Sequence, residues 1–253
     1  MKKLLASDLD GTLIYNNELN TLNRESVLRL KNSKNIFGVS TGRPYNGVKF
    51  LNEKYGIEPD FYVLLNGALI LDKQLEELKH DKIKYDIVEE LYNQYKDCKL
   101  FGIDQGYETS VLIGDSYYGW DNIHTRTIED MKSRNSSLIS IDFSNKSIDE
   151  IENICNIINS KYEDYVVSYR NSYFVDIVPK GCSKGNGVKL IAEKYNISIE
   201  NVYTIGDSFN DVSMFDITKN SFSFHNCEEN LKKHVNVIVD SVAECIDKYI
   251  LGE

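Results

Sequence analysis

The sequence predicts an α/β fold: a doubly wound parallel sheet interrupted in its middle third by an inserted α+β module. Three observations predict it. Short, nearly continuous apolar runs alternate with helical patterns from the N-terminus to Gly67, and each run ends in a polar turn. Between about residues 81 and 178 that rhythm gives way to hairpin-like strand pairs and two amphipathic helices. It then returns from Lys184 to the end of the chain.

The first element is the run Leu4-Leu5-Ala6-Ser7, read as a buried strand that ends abruptly in Asp8-Leu9-Asp10-Gly11-Thr12. A helix follows over about Leu22–Leu30, then a strand at Ile36–Ser40 running into Thr41-Gly42-Arg43-Pro44, with Pro44 suited to the first turn of a helix that buries Val48, Leu51 and Tyr55. Phe61–Leu65 is a third strand, closed by Asn66-Gly67, and Ala68–Leu71 opens a hairpin. In the insert, Tyr85–Lys96 is amphipathic, and strands are expected at Leu100–Ile103, Thr109–Ile113 and Leu138–Phe143. A helix carrying Ile151, Ile154, Ile157 and Ile158 precedes a hairpin of Tyr165–Tyr169 and Tyr173–Val178. Lys184–Tyr195 is then a helix and Val202–Ile205 a strand, followed by the polar loop Gly206-Asp207-Ser208-Phe209-Asn210-Asp211. Ser221–Phe224 and Val235–Val239 are the last strands, and Val242–Leu251 the closing helix.

Bulk composition narrows the function. At 253 residues and 42% hydrophobic content the chain can bury a substantial core. A formal net charge of −10 argues against nucleic acid or an anionic membrane as the main partner, so phosphate chemistry here needs a cation and local basic groups. Five cysteines without metal-like pairing read as reduced thiols of a cytoplasmic protein. The N-terminal apolar run is too short for a signal peptide and no run is long enough to span a bilayer, so a soluble protein is expected.

In a parallel sheet the carboxyl ends of the strands share one edge, where ligands bind. Here that edge receives Asp8 and Asp10, Thr41, Asn66, and Asp207 with Asn210 and Asp211, and Lys184 stands at a helix start. Two carboxylates placed side by side repel unless a divalent cation or a shared proton holds them. Oxygen ligands, a carboxylate nucleophile and donors for phosphate oxygens together suit Mg²⁺-assisted phosphoryl transfer.

Asp8-Leu9-Asp10-Gly11-Thr12, Ser40-Thr41-Gly42-Arg43, Ser183-Lys184-Gly185 and Gly206-Asp207-Ser208-Phe209-Asn210-Asp211 resemble, in order, the four motifs of the haloacid dehalogenase (HAD) superfamily of phosphohydrolases. The long insert after the second motif, with Asn66-Gly67-Ala68 ahead of it, resembles the Cof-type branch. The resemblance implies a Rossmann-like core of residues 1–80 and 179–253 with a cap of residues 81–178. It implies Asp8 as the nucleophile that becomes an aspartyl-phosphate, and Asp10 as general acid and then base. Mg²⁺ would be held by the Asp8 carboxylate, the Asp10 backbone carbonyl and Asp207, with Asp211 behind them or paired with Lys184. Thr41, Gly42, Lys184 and Asn210 would serve the phosphate, and Arg43 and Asn66 lie beside the reacting edge. Arg170, in the tight turn of the insert's last hairpin, and Asp176 would belong to the cover of the site, an exposed hairpin charge being the competing reading. Tyr117, Tyr118 and Trp120 are candidates for a sugar-binding face, with core or interface packing as the alternative. One departure is Ser221–Asn226, where relatives usually carry a Met-Gly-Asn-Ala-like turn; it leaves His225 without an assigned role.

The implied activity is a Mg²⁺-dependent phosphatase of small phosphorylated metabolites, sugar phosphates or phosphorylated cofactors, working as a monomer or homodimer. Competing readings are a phosphomutase-type phosphotransferase and a non-catalytic phosphate-binding regulator on the same scaffold. All four motifs are filled, which favours an enzyme.

Overall fold

The strands of the first sheet are short and apolar because helices cover both of its faces, leaving no side for alternation with water. The computed structural model describes residues 2–115 and 119–253. In chain order its strands begin with β1 (Leu4–Ser7), β2 (Ile36–Ser40), β3 (Phe61–Leu64), β4 (Leu69–Asp72) and β5 (Glu77–His80). Next come β6 (Leu100–Asp104), β7 (Thr109–Ile113), β8 (Ile123–Thr125), β9 (Leu138–Asp142), β10 (Val166–Asn171) and β11 (Phe174–Pro179). The series closes with β12 (Val202–Ile205), β13 (Asn220–Phe224) and β14 (Val237–Val239). The α-helices are α1 (Thr21–Asn32), α2 (Phe50–Tyr55), α3 (Tyr85–Gln94), α4 (Ile148–Lys161), α5 (Lys184–Lys194), α6 (Val212–Phe215) and α7 (Val242–Glu244), the last continuing as a π-helical stretch, Cys245–Leu251.

The first sheet has the order β14-β13-β12-β1-β2-β3-β4-β5. It is parallel from β14 to β3, and β4 and β5 extend it antiparallel. Side chains alternate by the strand period of two. Leu5, Phe37, Val39 and Leu64 face Val27 and Leu30 of α1 and Ile246 and Ile250 of the closing helix. Leu4, Ala6, Phe61 and Val63 face Val188 and Ile191 of α5. Register then fixes the functional edge. Ser7 lies opposite both Val39 and Ile205, and Ser40 opposite Val63, so the residues leaving β1, β2, β3 and β12 emerge side by side.

The second sheet, order β10-β11-β9-β6-β7-β8, is antiparallel except for β7 with β8. One face carries Phe101, Ile103, Ile139, Ile141, Val175 and Ile177, packed with Val88 and Leu91 of α3 and Ile151 and Ile158 of α4. The register pairs Ser140 with Asp176 and Asp104 with Leu138, which places those polar side chains on the opposite face, toward the first sheet. Chain entry and exit meet: Lys79 Nζ lies 3.0 Å from Asp81 Oδ2, and the Cys182 thiol is 3.3 Å from Lys79 Nζ and 3.4 Å from Asp81 Oδ2.

Three local expectations shift. Pro44 precedes a 3₁₀ turn, Tyr45–Gly47, and the α-helix starts only at Phe50. Ile157 is exposed, because it lies off the stripe formed by Ile151, Ile154 and Ile158. Arg170 sits in strand β10 rather than in the hairpin turn, which is made by Ser172 and Tyr173. Among the described residues no helix is long and apolar enough to cross a membrane.

Helix α5 reaches the reacting edge because glycine lets it press close to its neighbours. A Cβ on Gly185 would lie 1.9 Å from the Ser213 carbonyl oxygen, a backbone atom that cannot swing aside. Gly185→Ala is therefore expected to destabilise the protein by about 2–4 kcal/mol, as overpacking against backbone does. Urea unfolding checks this: the midpoint falls while the slope stays that of the wild type.

Candidate active site

At the floor of the site one ammonium joins two carboxylates. Lys184 Nζ donates to Asp8 Oδ1 and to Asp211 Oδ1, both at 2.6 Å, with the lysine 1% exposed. The Ser183 side chain caps α5 and so sets the first helical residue, Lys184, at the end of β1. Asp211 is wholly buried; its Oδ2 accepts the backbone N–H groups of Asp207 (2.9 Å) and Ser208 (3.0 Å). Its Oδ1 is thus committed to Lys184 and its Oδ2 to shaping the loop after β12. That loop presents Asp207, whose Oδ1 accepts from the Thr12 hydroxyl at 2.7 Å.

Ligand oxygens of Asp8, Asp207 and Asp211 lie within 4.8 Å of one another. Burial and the neighbouring carboxylates Asp211 and Asp207 push Asp8 well above the usual carboxylate range, against the pull of Lys184. Burial, then Asp211, raises Asp207 to about 6. Burial alone would lower Lys184, but Asp211 and Asp8 outweigh it and raise its pKa, so it stays charged. One ammonium among two buried carboxyls and one half-buried one leaves the cluster short of positive charge. Hard oxygen donors with a charge deficit fit Mg²⁺, and Asp8 and Asp207 are the two whose oxygens remain available.

Above this floor is a cavity of about 490 Å³ between the two sheets. Asp8, Asp10, Thr41, Gly42, Arg43, Asp207 and Asn210 line it from the first sheet, and Asp104, Ser140, Asn171, Phe174 and Asp176 from the second. The Thr41 hydroxyl accepts the Arg43 N–H at 3.2 Å, which leaves its proton free to donate. Asp10 does not point at Asp8. Its carboxylate is gripped by Arg43, whose Nε donates to Oδ2 at 2.7 Å and whose Nη2 donates to Oδ1 at 2.5 Å. Arg43 also lies 5.1 Å from the Trp120 ring centre.

Asn66 is the link between floor and roof. Leu65 and Asn66 have φ of 52° and 49°, two consecutive left-handed residues without glycine, a conformation costing about 1–2 kcal/mol each. This turn aims the Asn66 amide so that its Nδ2 donates to Asp176 Oδ2 at 3.1 Å, while its Oδ1 accepts from Asn210 Nδ2 at 3.4 Å.

A family model described as haloacid dehalogenase-like hydrolase matches residues 5–247. The chain belongs to that family. Phosphatase YwpJ of Bacillus subtilis is 25% identical over 98% of this chain and 96% of its own length. A HAD/COF-like protein of Plasmodium vivax superposes with a TM-score of 0.84 at 22% identity, over 100% of this chain and 96% of that one. The subclass IIB sugar phosphatase BT4131 also gives a TM-score of 0.84, at 18% identity and 99% coverage of both chains. The fold is thus that of the capped HAD hydrolases, the second sheet standing where their cap does.

Other expected residues fall into place around this HAD site. Asp176 faces the cavity, fully hydrogen-bonded by Ser140, Asn66 and Asn171. Arg170 does not line the cavity. Its guanidinium pairs with Glu228 of the core through three hydrogen bonds of 3.0–3.1 Å, lies 3.2 Å from Glu152, and stacks 4.8 Å over Phe209 of the Asp207 loop. Trp120 lines the cavity, while Tyr117 and Tyr118 lie outside the described residues. His225 is exposed and 3.6 Å from Asp240. Sequence reasoning missed Asp104 and Ser140. The signal for Asp104 was present, since it ends an apolar strand as Asp8 does.

Two predictions follow from these buried charges. Lys184→Met strips the carboxylates of their cation, and urea unfolding is expected to show a loss of about 3–5 kcal/mol. Burial raises Asp104 to about 7 from an unfolded value near 3.8. The folded protein therefore holds a proton that the unfolded chain gives up, and stability is lost as pH rises from about 4 through about 7. Asp104→Asn keeps the shape without this cost, so its stability relative to wild type should rise between pH 5 and pH 8, by about 3 kcal/mol.

Proposed function

We propose that this HAD hydrolase is a Mg²⁺-dependent phosphatase of small phosphate esters, with residues 81–178 acting as the cap over the site. The observation that carries the reading is the convergence of Asp8, Asp207 and the Lys184 ammonium at the base of a closed-over polar cavity. Mg²⁺ would be held by Asp8, Asp207 and the Asp10 backbone carbonyl, and supplies charge that offsets the phosphoryl oxygens. The name of the B. subtilis phosphatase and the activity named for BT4131 support phosphate esters, sugar phosphates among them.

The chain's own residues then divide the work. A carboxylate oxygen of Asp8 attacks phosphorus in line, a P–O bond forms, and the ester's bridging P–O bond breaks to leave an aspartyl-phosphate. Lys184 aims Asp8 and favours its ionised form, and is itself fixed by Asp211. The Thr41 hydroxyl and the Asn210 amide offer donors to the non-bridging oxygens. Asp10 turns from Arg43 to protonate the departing alkoxide, then takes a proton from the water that attacks phosphorus and frees Asp8. Closure by the cap excludes competing water during the first step.

Phosphate release from a panel of sugar phosphates, with and without Mg²⁺, tests the reading. Asp8→Asn should abolish metal-dependent release, a loss above about 10³-fold. Asp10→Asn should cost about 10²–10⁴-fold on alkyl phosphates and markedly less on p-nitrophenyl phosphate, whose leaving group needs no proton. Wild-type turnover in Asp8→Asn would overturn the mechanism.

A further inference from the structure

The cap side of the cavity carries a carboxyl that the hydrolytic mechanism does not use. Asp104, at the end of β6, is 4% exposed and lines the cavity. Its Oδ1 accepts the Thr109 hydroxyl at 2.5 Å, and that hydroxyl oxygen in turn accepts from Trp120 Nε1 at 3.2 Å. Among the described residues its second oxygen receives no hydrogen bond, whereas each oxygen of Asp176 receives at least one.

Among the described residues at the cavity, no cation is free to answer it. The lining residues include five carboxyls, Asp8, Asp10, Asp104, Asp176 and Asp207, against one guanidinium, that of Arg43. Arg43 is spent on Asp10, Asn17 and the Gly47 carbonyl, and Lys184 is spent on Asp8 and Asp211. Asp176 adds like-charge repulsion to the burial that already disfavours ionised Asp104. A sugar hydroxyl would satisfy the open oxygen; an ammonium would satisfy it and also hold Asp104 in its ionised form. A second anionic group would meet only repulsion there.

We propose that Asp104 is a specificity-determining residue that receives an ammonium on the leaving-group half of the substrate, so that phosphomonoesters of amino sugars or amino alcohols are preferred and phosphorylated acids rejected. The inference rests on the reading of the cavity as a phosphomonoester site, and names the substrate class within it.

Calorimetric titration of the Mg²⁺-loaded Asp8→Asn protein at pH 7 separates binding from turnover. The probes are glucosamine 6-phosphate and its 3-amino and 4-amino positional isomers, glucose 6-phosphate and 6-phosphogluconate. At least one amino isomer is expected to bind 10-fold or more tighter than glucose 6-phosphate, and 6-phosphogluconate more weakly than both. Adding Asp104→Asn, which is isosteric and can still accept from Thr109, should bring the amino-to-neutral ratio within twofold. Equal affinities, or a preference that survives Asp104→Asn, would overturn the assignment. Phosphate release by the wild-type protein is read on the same compounds. An amino preference in binding without any release would leave the Asp104 assignment standing and bring down the phosphatase reading alone.

Discussion

Everything at the reacting edge depends on one buried ammonium. Lys184 sits between Asp8 and Asp211, which are 176 and 27 residues from it in sequence. Removing it would leave both carboxylates buried without their cation. Through Asp211 the same lysine fixes the backbone of the Asp207 loop, because the second oxygen of Asp211 takes up two N–H groups of that loop. Asp8 and the loop that carries Asp207 are therefore positioned by a single charge. The sheet supplies the other half of the arrangement: parallel register brings strand ends from distant parts of the chain to a common line.

The polar face of the cap answers a different constraint. Its strands bury one apolar face against α3 and α4, and alternation forces every second side chain toward the core. In an ordinary two-layer sheet those positions would meet water. Here they are closed over the cavity, so Asp104, Ser140 and Asp176 are buried without being in a hydrophobic core. Asp104 is consequently a liability to the free protein, of the kind active sites retain at the expense of stability.

Much of this was legible in the sequence, for reasons that differ by residue. The strand ends at Asp8, Thr41 and Asp207 stand out because an apolar run stopping at a polar residue is a local signal. The cap helices declare themselves by period, although Ile157 shows that membership of the apolar face has to be counted position by position. Lys184 had no local signal at all; only the ordered set of motifs singled it out. Arg170 could not be placed from sequence, because its partners Glu228 and Phe209 come from the other side of the insertion and its reach depends on β10 being an edge strand. The turning of Asp10 to Arg43 was equally hidden, since both belong to motifs whose spacing says nothing of rotamer. The left-handed pair Leu65–Asn66 runs against local preference, and local preference is all that a single sequence displays.

The meeting of Lys79, Asp81 and Cys182 where the insert leaves and rejoins the core bears on how such a molecule can change over time. The two ends of the inserted segment are neighbours, so the core sheet sees it as a surface loop whose closing cost grows only slowly with length. A segment of another size or sequence could stand in its place while the register of β1, β2, β3 and β12 stayed as it is. The strand-end residues and the segment that covers them are thereby held in separately replaceable parts, and a lineage can exchange one while inheriting the other unchanged.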